Sequence, residues 1–274
     1  MGIGIVTDST AYVPDKLVRA NNISIIPVQV IVDGTSHSEV NEILLSDIFA
    51  AVRAGSVVTT SRPPVEQFVS LYQSLADAGC DHIISVHLSK ELSGTYDAAV
   101  VASGRVEVPV TVIDSGLIGM AFGFAVISAA QLAAQDEHPD VVAAHIIKRC
   151  QKASVTFCVD TLEFLQRGGR IGTVQARVGG ALSVKPLLGM KDGLVQSQEL
   201  VRTTSKALSR LIETSVKNGK NAQVAVHHVQ APDVAQEVAQ KLKEQLHLDD
   251  IPVIEAGAVV GAHVGPGTVA VAIC

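Results

Sequence analysis

The residues of this chain that could do chemistry are chiefly hydroxyls, and they recur where apolar runs end. Ser93 lies in Leu88-Ser89-Lys90-Glu91-Leu92-Ser93-Gly94-Thr95. Before this turn, Ile83–Leu88 has the length of a buried strand. After it, Tyr96, Ala99, Val100 and Ser103 stand at helical spacing and Gly104 ends the pattern. A serine where a strand turns into a helix faces the free N–H groups of the first helical turn, and Gly94 lets a ligand approach the backbone. Such a turn suits a carboxylate or a phosphate. Ser93 as a simple N-cap fits the spacing equally well. Three further polar clusters follow apolar runs: Asp8-Ser9-Thr10, Thr60-Ser61 and Asp114-Ser115. In a parallel sheet, strand ends of this kind face the ligand crevice, so the recurrence favours a site.

His263 stands among Gly261, Gly265, Pro266 and Gly267, where backbone and ligand can come close. Arg170, between Gly169 and Ile171, is either a solvated surface cation or the counter-charge of an anion. His227 and His228 are adjacent on a strand, so they face opposite sides and cannot chelate one metal. No metal site and no cofactor are expected. No G-x-S-x-G elbow surrounds a serine, Gly219-Lys220 lacks the leading glycine of a P-loop, and no G-x-G-x-x-G follows a strand. Asp8 and Asp114 could pair as carboxylates, although aspartate at a strand end is more often a turn residue. An anion pocket without a nucleophile–base pair favours binding over turnover. Two other classes stay open: a binding module for a small phosphate or sugar phosphate, and a phosphoryl- or acyl-transfer enzyme using Ser93 or Asp8.

The elements that must position these residues alternate. Strands at Ile3–Thr7, Ile23–Val32, Ile83–Leu88 and Val110–Ile113 are separated by helices, one capped by Ser46 and ended by Gly55, one running from Val65 to Ala78. The uncharged stretch Ser115–Gln135 supplies a helix apolar all round, and Pro139–Lys152 another. This alternation predicts a doubly wound parallel sheet in an N-terminal α/β domain, 1–153. The second half has strands at Val155–Val159, Val184–Met190 and Leu194–Val201, the latter two flanking the hairpin signature Lys191-Asp192-Gly193. Helices at Thr203–Asn218 and Pro232–Leu246, strands at Gln223–His228 and Val253–Glu255, a loop over Gly257–Gly267 and the strand Thr268–Ile273 complete it. A hairpin among crossovers predicts a mixed sheet in a C-terminal α/β domain, 154–274.

Hydrophobic residues make up 47% of the 274 and charged ones 18%, which gives a well-cored globular chain with no disordered tail. Aromatics are only 3%, so Val, Ala, Ile and Leu must build the core. With a net charge of −6 and no basic cluster interleaved with aromatics, nucleic acid is not an expected partner. Cys80, Cys150, Cys158 and Cys274 lack metal-type spacing and read as reduced thiols of a cytoplasmic protein. The N-terminus lacks the basic region of a signal peptide. Ser115–Gln135 is long enough to span a bilayer, but its Ala, Gly and Ser content and its flanks without a Lys/Arg pattern predict a buried helix.

Six segments together resemble one family: Val6-Thr7-Asp8-Ser9-Thr10, Thr60-Ser61-Arg62-Pro63-Pro64, Leu92-Ser93-Gly94-Thr95-Tyr96, Val112-Ile113-Asp114-Ser115, Gly168-Gly169-Arg170-Ile171 and Gly261-Ala262-His263-Val264-Gly265-Pro266-Gly267. In that order they resemble the DegV family of bacterial fatty-acid-binding proteins, which includes the binding subunit of fatty acid kinase. The resemblance implies a two-domain α/β protein that holds one long-chain fatty acid, such as palmitate or oleate, between its domains. It implies that Thr60 and Ser93 hydrogen-bond the carboxylate, with Ser61 and the Gly94 backbone close by and Arg170 and His263 around the head group. It implies presentation of the carboxylate to a separate kinase, without catalysis by this chain. Arg62 and Pro64 depart from the family, which more often has Gln and Ser there. A sixteen-carbon tail brings about 12 kcal/mol of gross burial at roughly 0.8 kcal/mol per methylene. Ala121, Gly123 and Ala125 on the neutral helix would suit a narrow tunnel for it.

Overall fold

The structure, a computed structural model, describes residues 2–172, 174 and 185–274. β1 (Ile3–Asp8) leads through α1 (Asp15–Ala20) to β2 (Ile23–Ile26). The apolar run Ile23–Val32, expected to be one strand, divides at Pro27-Val28, because Pro27 has no N–H with which to continue the ladder. β2 stays in the parallel sheet. β3 (Gln29–Val32) instead starts a separate antiparallel sheet, which it centres between β4 (Thr35–Ser38) and β5 (Val58–Ser61). α2 (Leu45–Arg53) crosses between β4 and β5. Ser46 does not cap it: the helix starts after Leu44, whose N–H donates to the Asp47 carboxylate at 3.1 Å.

From β5 the chain returns to the parallel sheet through α3 (Val65–Asp77), β6 (His82–His87), α4 (Thr95–Ser103) and β7 (Val110–Asp114). The sheet order is β2-β1-β6-β7, all parallel. The chain reverses its direction of winding between β1 and β6, the place where open parallel sheets leave a crevice. Phe68, Tyr72, Ala98 and Ala102 of α3 and α4 cover one face together with Val6 and Ile83. The other face takes α5 (Met120–Ala133) and α6 (Pro139–Lys152). α5 is shorter than the uncharged stretch because Gly116 and Gly119 adopt left-handed φ of +65° and +68° and break the lead-in. It packs between two sheets, against Ile5 and Ile84 on one side and Ala225 and Ala272 on the other. Among the described residues no helix is long and apolar enough to cross a membrane.

The second sheet is built from β8 (Ser154–Cys158), β9 (Lys185–Lys191), β10 (Leu194–Val201), β11 (Val224–His228), β12 (Val253–Glu255) and β13 (Val269–Ile273), with α7 (Glu163–Arg167) after β8. Its order is β10-β9-β8-β13-β11-β12, mixed because only β11 and β12 run parallel. Asp192 and Gly193, both at left-handed φ, close the β9–β10 hairpin. The expected start of β9 at Val184 lies outside the described residues. α8 (Thr204–Asn218) and α9 (Pro232–Leu246) cover the outer face through Leu211, Val238 and Leu242.

The expected loop Gly257–Gly267 contains a helix, α10 (Ala258–Val264). Its glycines mask an Ala/Val pattern whose buried members, Ala258 and Val259, pack on Val28, Val30 and Ile48 of the small sheet and α2. Tertiary packing, not propensity, stabilises so short a helix.

Candidate functional site

A pocket opens beyond the carboxyl ends of β1 and β6 and extends to the six-stranded sheet, with about 1130 Å³ of empty space, solvent at its mouth included. Thr60, Ser61, Ser93, Gly94, Arg170 and His263 all line it, and so does Arg62. Its apolar walls include Leu88, Leu92, Phe157, Leu165, Met190 and Val195. No Asp or Glu among the described residues lines it.

The polar residues meet through specific contacts. β5 brings Thr60 to the last turn of α10, where Thr60 Oγ1 and His263 Nε2 share a hydrogen bond of 2.8 Å. Gly168 makes room for the imidazole, since a Cβ there would strike His263 Nδ1. Burial, and secondarily the Arg170 charge, push the His263 pKa down to about 4, so the ring is neutral near pH 7. Its Nδ1 is buried without a hydrogen-bond partner among the described residues. Arg170 is steered by two backbone carbonyls: Nε donates to Leu92 at 3.0 Å and Nη1 to Gly168 at 2.6 Å. Three of its five N–H groups stay uncommitted by those bonds.

Ser93 is not the N-cap of α4, because Gly94 occupies that position. Ser93 Oγ accepts the Thr95 N–H at 3.3 Å and lies 2.9 Å from Thr95 Oγ1. Either hydroxyl can donate in that contact; with the fully buried Thr95 as donor, its hydrogen is satisfied by Ser93. The Ser93 hydrogen then remains free to donate into the pocket.

Asp8-Ser9-Thr10 and Asp114-Ser115 do not line the pocket; they hold its turns. Asp8 is fully buried and accepts from Thr10 N at 3.0 Å and Leu88 N at 2.9 Å, with His87 Nδ1 at 3.1 Å. Asp114 accepts from Lys90 N and Gly116 N. His87 continues through Ser85 to Tyr72 in a chain that resembles a Ser-His-Asp set. Ser85 and His87 are fully buried and line no part of the pocket, so no substrate reaches that hydroxyl.

The helix α5 also departs from expectation. Ala121, Gly123 and Ala125 are absent from the lining, which takes only the lead-in residues Ile118 and Gly119. The small side chains serve close packing instead: a Cβ on Gly123 would stand 2.6 Å from the Ala11 carbonyl oxygen.

Comparison with known proteins now bears on the site. A family model described as an uncharacterised protein of the DegV family matches residues 2–274. A DegV domain-containing protein of Streptomyces coelicolor is 44% identical over 274 residues, covering 99% of this chain and 98% of that one. The chain belongs to the DegV family. Among solved structures, a DegV family protein from Thermus thermophilus, described for its fatty acid binding, superposes with a TM-score of 0.93 at 32% identity, covering 100% of this chain and 99% of that one. DegV from Bacillus subtilis, described as a fatty acid binding protein, gives 0.91 at 32% identity, with 100% and 99% covered.

Some pocket residues of this DegV chain escape sequence reasoning. Tyr12 follows the turn after β1 in a left-handed conformation, φ +50°, which a bulky residue rarely adopts. Its hydroxyl donates to Glu39 Oε1 at 3.2 Å, and the ring lines the pocket beside His227, 5.7 Å between centroids. Glu39 also accepts from the Ser9 hydroxyl and, at 2.9 Å, from the Val259 N–H in the first turn of α10. Burial raises the Glu39 pKa, while Ser9, Val259 and Tyr12 work to lower it. Glu39 thereby ties the small sheet to the helix that carries His263. No motif announces it, because its partners lie 27, 30 and 220 residues away.

Proposed function

We propose that this chain binds one long-chain fatty acid, such as palmitate or oleate, with the carboxylate at the Thr60, Ser61, Ser93 and Gly94 cluster beside Arg170 and His263. It acts in the cytoplasm as a binding protein and offers the carboxylate to a separate fatty acid kinase subunit that forms the acyl phosphate. The observation that carries this reading is the make-up of the pocket: Thr60, Ser93, Arg62, Arg170 and His263 gather around the Leu92–Gly94 turn, most of the remaining lining is aliphatic or aromatic, with His227, His228 and Thr268 among it, and no acid among the described residues lines it.

The head and the tail divide the work. With Thr95 as the donor between them, the Ser93 hydroxyl has a hydrogen to give. With His263 as the Nε2–H tautomer, Thr60 accepts from the ring and gives its own hydrogen to the ligand. Tail burial, at roughly 0.8 kcal/mol per methylene, supplies more than these bonds can. Presentation to a kinase is supported by Arg62, which is exposed and yet lines the pocket, so the head-group end lies near solvent. The fatty acid binding of the Thermus and Bacillus relatives points the same way. Asp8 as a nucleophile is disfavoured, since both of its oxygens are engaged in the core.

Native mass spectrometry of untreated protein from bacterial expression tests the proposal. The expected result is an acyl chain of C14–C18 at close to one per protein. Finding none, together with no rise in Tm on adding palmitate or oleate, refutes it. A ligand at a hundred times its Kd should add about 2.7 kcal/mol of stability.

A further inference from the structure

Arg62 is exposed, its carbonyl accepts from the Ser61 hydroxyl at 3.0 Å, and among the described residues its guanidinium has neither a hydrogen bond nor a carboxylate partner. Its side chain lies across Gly94: Cδ, Nη1 and Nε stand 3.2, 3.7 and 3.9 Å from where a Gly94 Cβ would be. Gly94 is the N-cap of the nine-residue α4, so the guanidinium rests over the positive end of a helix. A cation gains nothing from that position by itself. An anion beside the guanidinium and the helix end, on the pocket side away from the exposed Asp97 of the first turn, would be attracted by both. Arg170, committed to backbone carbonyls, is a second cation at the same end that faces no acid in the pocket among the described residues.

One carboxylate balances one guanidinium. A phosphate monoester carries about −1.5 to −2 near pH 7 and offers three acceptor oxygens. Arginine's planar fork matches such oxygens better than a point charge does. We propose that Arg62 determines head-group specificity in this chain: by adding a second cation at the mouth, it turns the site toward long-chain ligands with a doubly charged, phosphate-type head. The inference rests on the fatty-acid reading for the walls that hold the chain. It goes beyond that reading in assigning the second charge to Arg62.

The test compares hexadecyl phosphate with palmitate on wild type, Arg62→Gln and Arg62→Lys, each by direct calorimetric titration and by displacement of a fluorescent fatty acid, with inorganic phosphate as a chain-free arm. Wild type should bind hexadecyl phosphate at least as tightly as palmitate. Arg62→Gln should weaken hexadecyl phosphate about tenfold and palmitate less than about threefold, with Arg62→Lys between wild type and Gln. Inorganic phosphate should displace nothing at the same concentration. The proposal is overturned if Arg62→Gln weakens both ligands equally or neither, or if wild type binds hexadecyl phosphate ten times more weakly than palmitate. Displacement by inorganic phosphate alone would also overturn it, because the chain would then be irrelevant to recognition. Failure of palmitate to bind wild type would remove the fatty-acid reading alone, since the Arg62 comparison is still read on hexadecyl phosphate. If neither long-chain ligand binds, both fall.

Discussion

Removing the two donor hydroxyls separates head from tail. Ser93→Ala deletes a pocket-lining hydroxyl that stands 2.9 Å from Thr95 Oγ1 and keeps its own hydrogen free for a ligand when Thr95 is the donor of that bond. Thr60→Val keeps the shape at Thr60 and deletes the oxygen that His263 Nε2 meets at 2.8 Å. A hydrogen bond to a charged acceptor is worth about 1.5–3 kcal/mol, so each substitution should weaken palmitate roughly tenfold to a hundredfold. The proposed site puts both hydroxyls on one carboxylate, so the double variant should lose less than the sum. Binding should nonetheless persist in it, because the tail retains about 12 kcal/mol of gross burial. Isothermal titration with palmitate and with methyl palmitate reads both effects. Wild type should strongly prefer the acid, and the double variant should narrow that preference to what Arg62 and Arg170 still provide. If wild type binds acid and ester equally, the carboxylate is not held at Thr60 and Ser93, and the site assignment is wrong.

Acidification gives a second test. Burial pushes the pKa of His227, like that of His263, down to about 4. Between pH 6.5 and 4 the unfolded chain therefore binds more protons at these histidines, and the native state loses stability as pH falls, by at most about 3 kcal/mol for each. Glu39, raised by burial, works in the opposite direction above its usual range. Urea midpoints measured from pH 7.5 to 4.5 should fall for wild type and fall less for His227→Gln, and parallel curves would contradict this. His263→Ala should reduce acyl-phosphate formation in a reconstituted kinase system more than it reduces palmitate affinity; equal losses would make His263 a packing residue. Glu39→Ala should lower Tm and weaken palmitate together, because it leaves the Val259 N–H and the Tyr12 hydroxyl without their acceptor; unchanged palmitate affinity would show that α10 keeps its place without it.

The parts of the site that could be read from the sequence are those in which a local signal and a tertiary role coincide. Ser93 follows an apolar run and precedes a 3.6-residue pattern, so its place between β6 and α4 is visible in the chain. Thr60 was recognisable as a hydroxyl after an apolar run but not as part of a different sheet. That depends on Pro27, which ends one ladder and lets another begin with Gln29 paired to Ser61 and Val30 to Thr60. α10 was hidden because Gly257, Gly261 and Gly265 read as loop, while its stability comes from burying Ala258 and Val259 against the small sheet. The tail walls were unreadable for a simpler reason. Phe157, Met190 and Val195 look like any strand residues until β8, β9 and β10 are placed beside the β6–α4 turn.

The pocket's polar end is assembled from chain segments that share no local structure, and this bears on how a ligand would act. Thr60 and His263 are 203 residues apart and are linked by one hydrogen bond. The Ser93 turn is held on one side by Asp8 through the Leu88 N–H and on the other by the β9–β10 hairpin, where Ser89 Oγ donates to the Gly193 carbonyl at 2.7 Å. Glu39 joins the small sheet to α10. Each such link contributes on the order of 1 kcal/mol net, far less than the burial of a long alkyl chain against walls drawn from both larger sheets. A bound chain would therefore do more to hold these layers together than the polar links do. The small sheet, attached to α10 largely through Glu39, Thr60 and the Val28–Val259 contact, is where an empty pocket would open first.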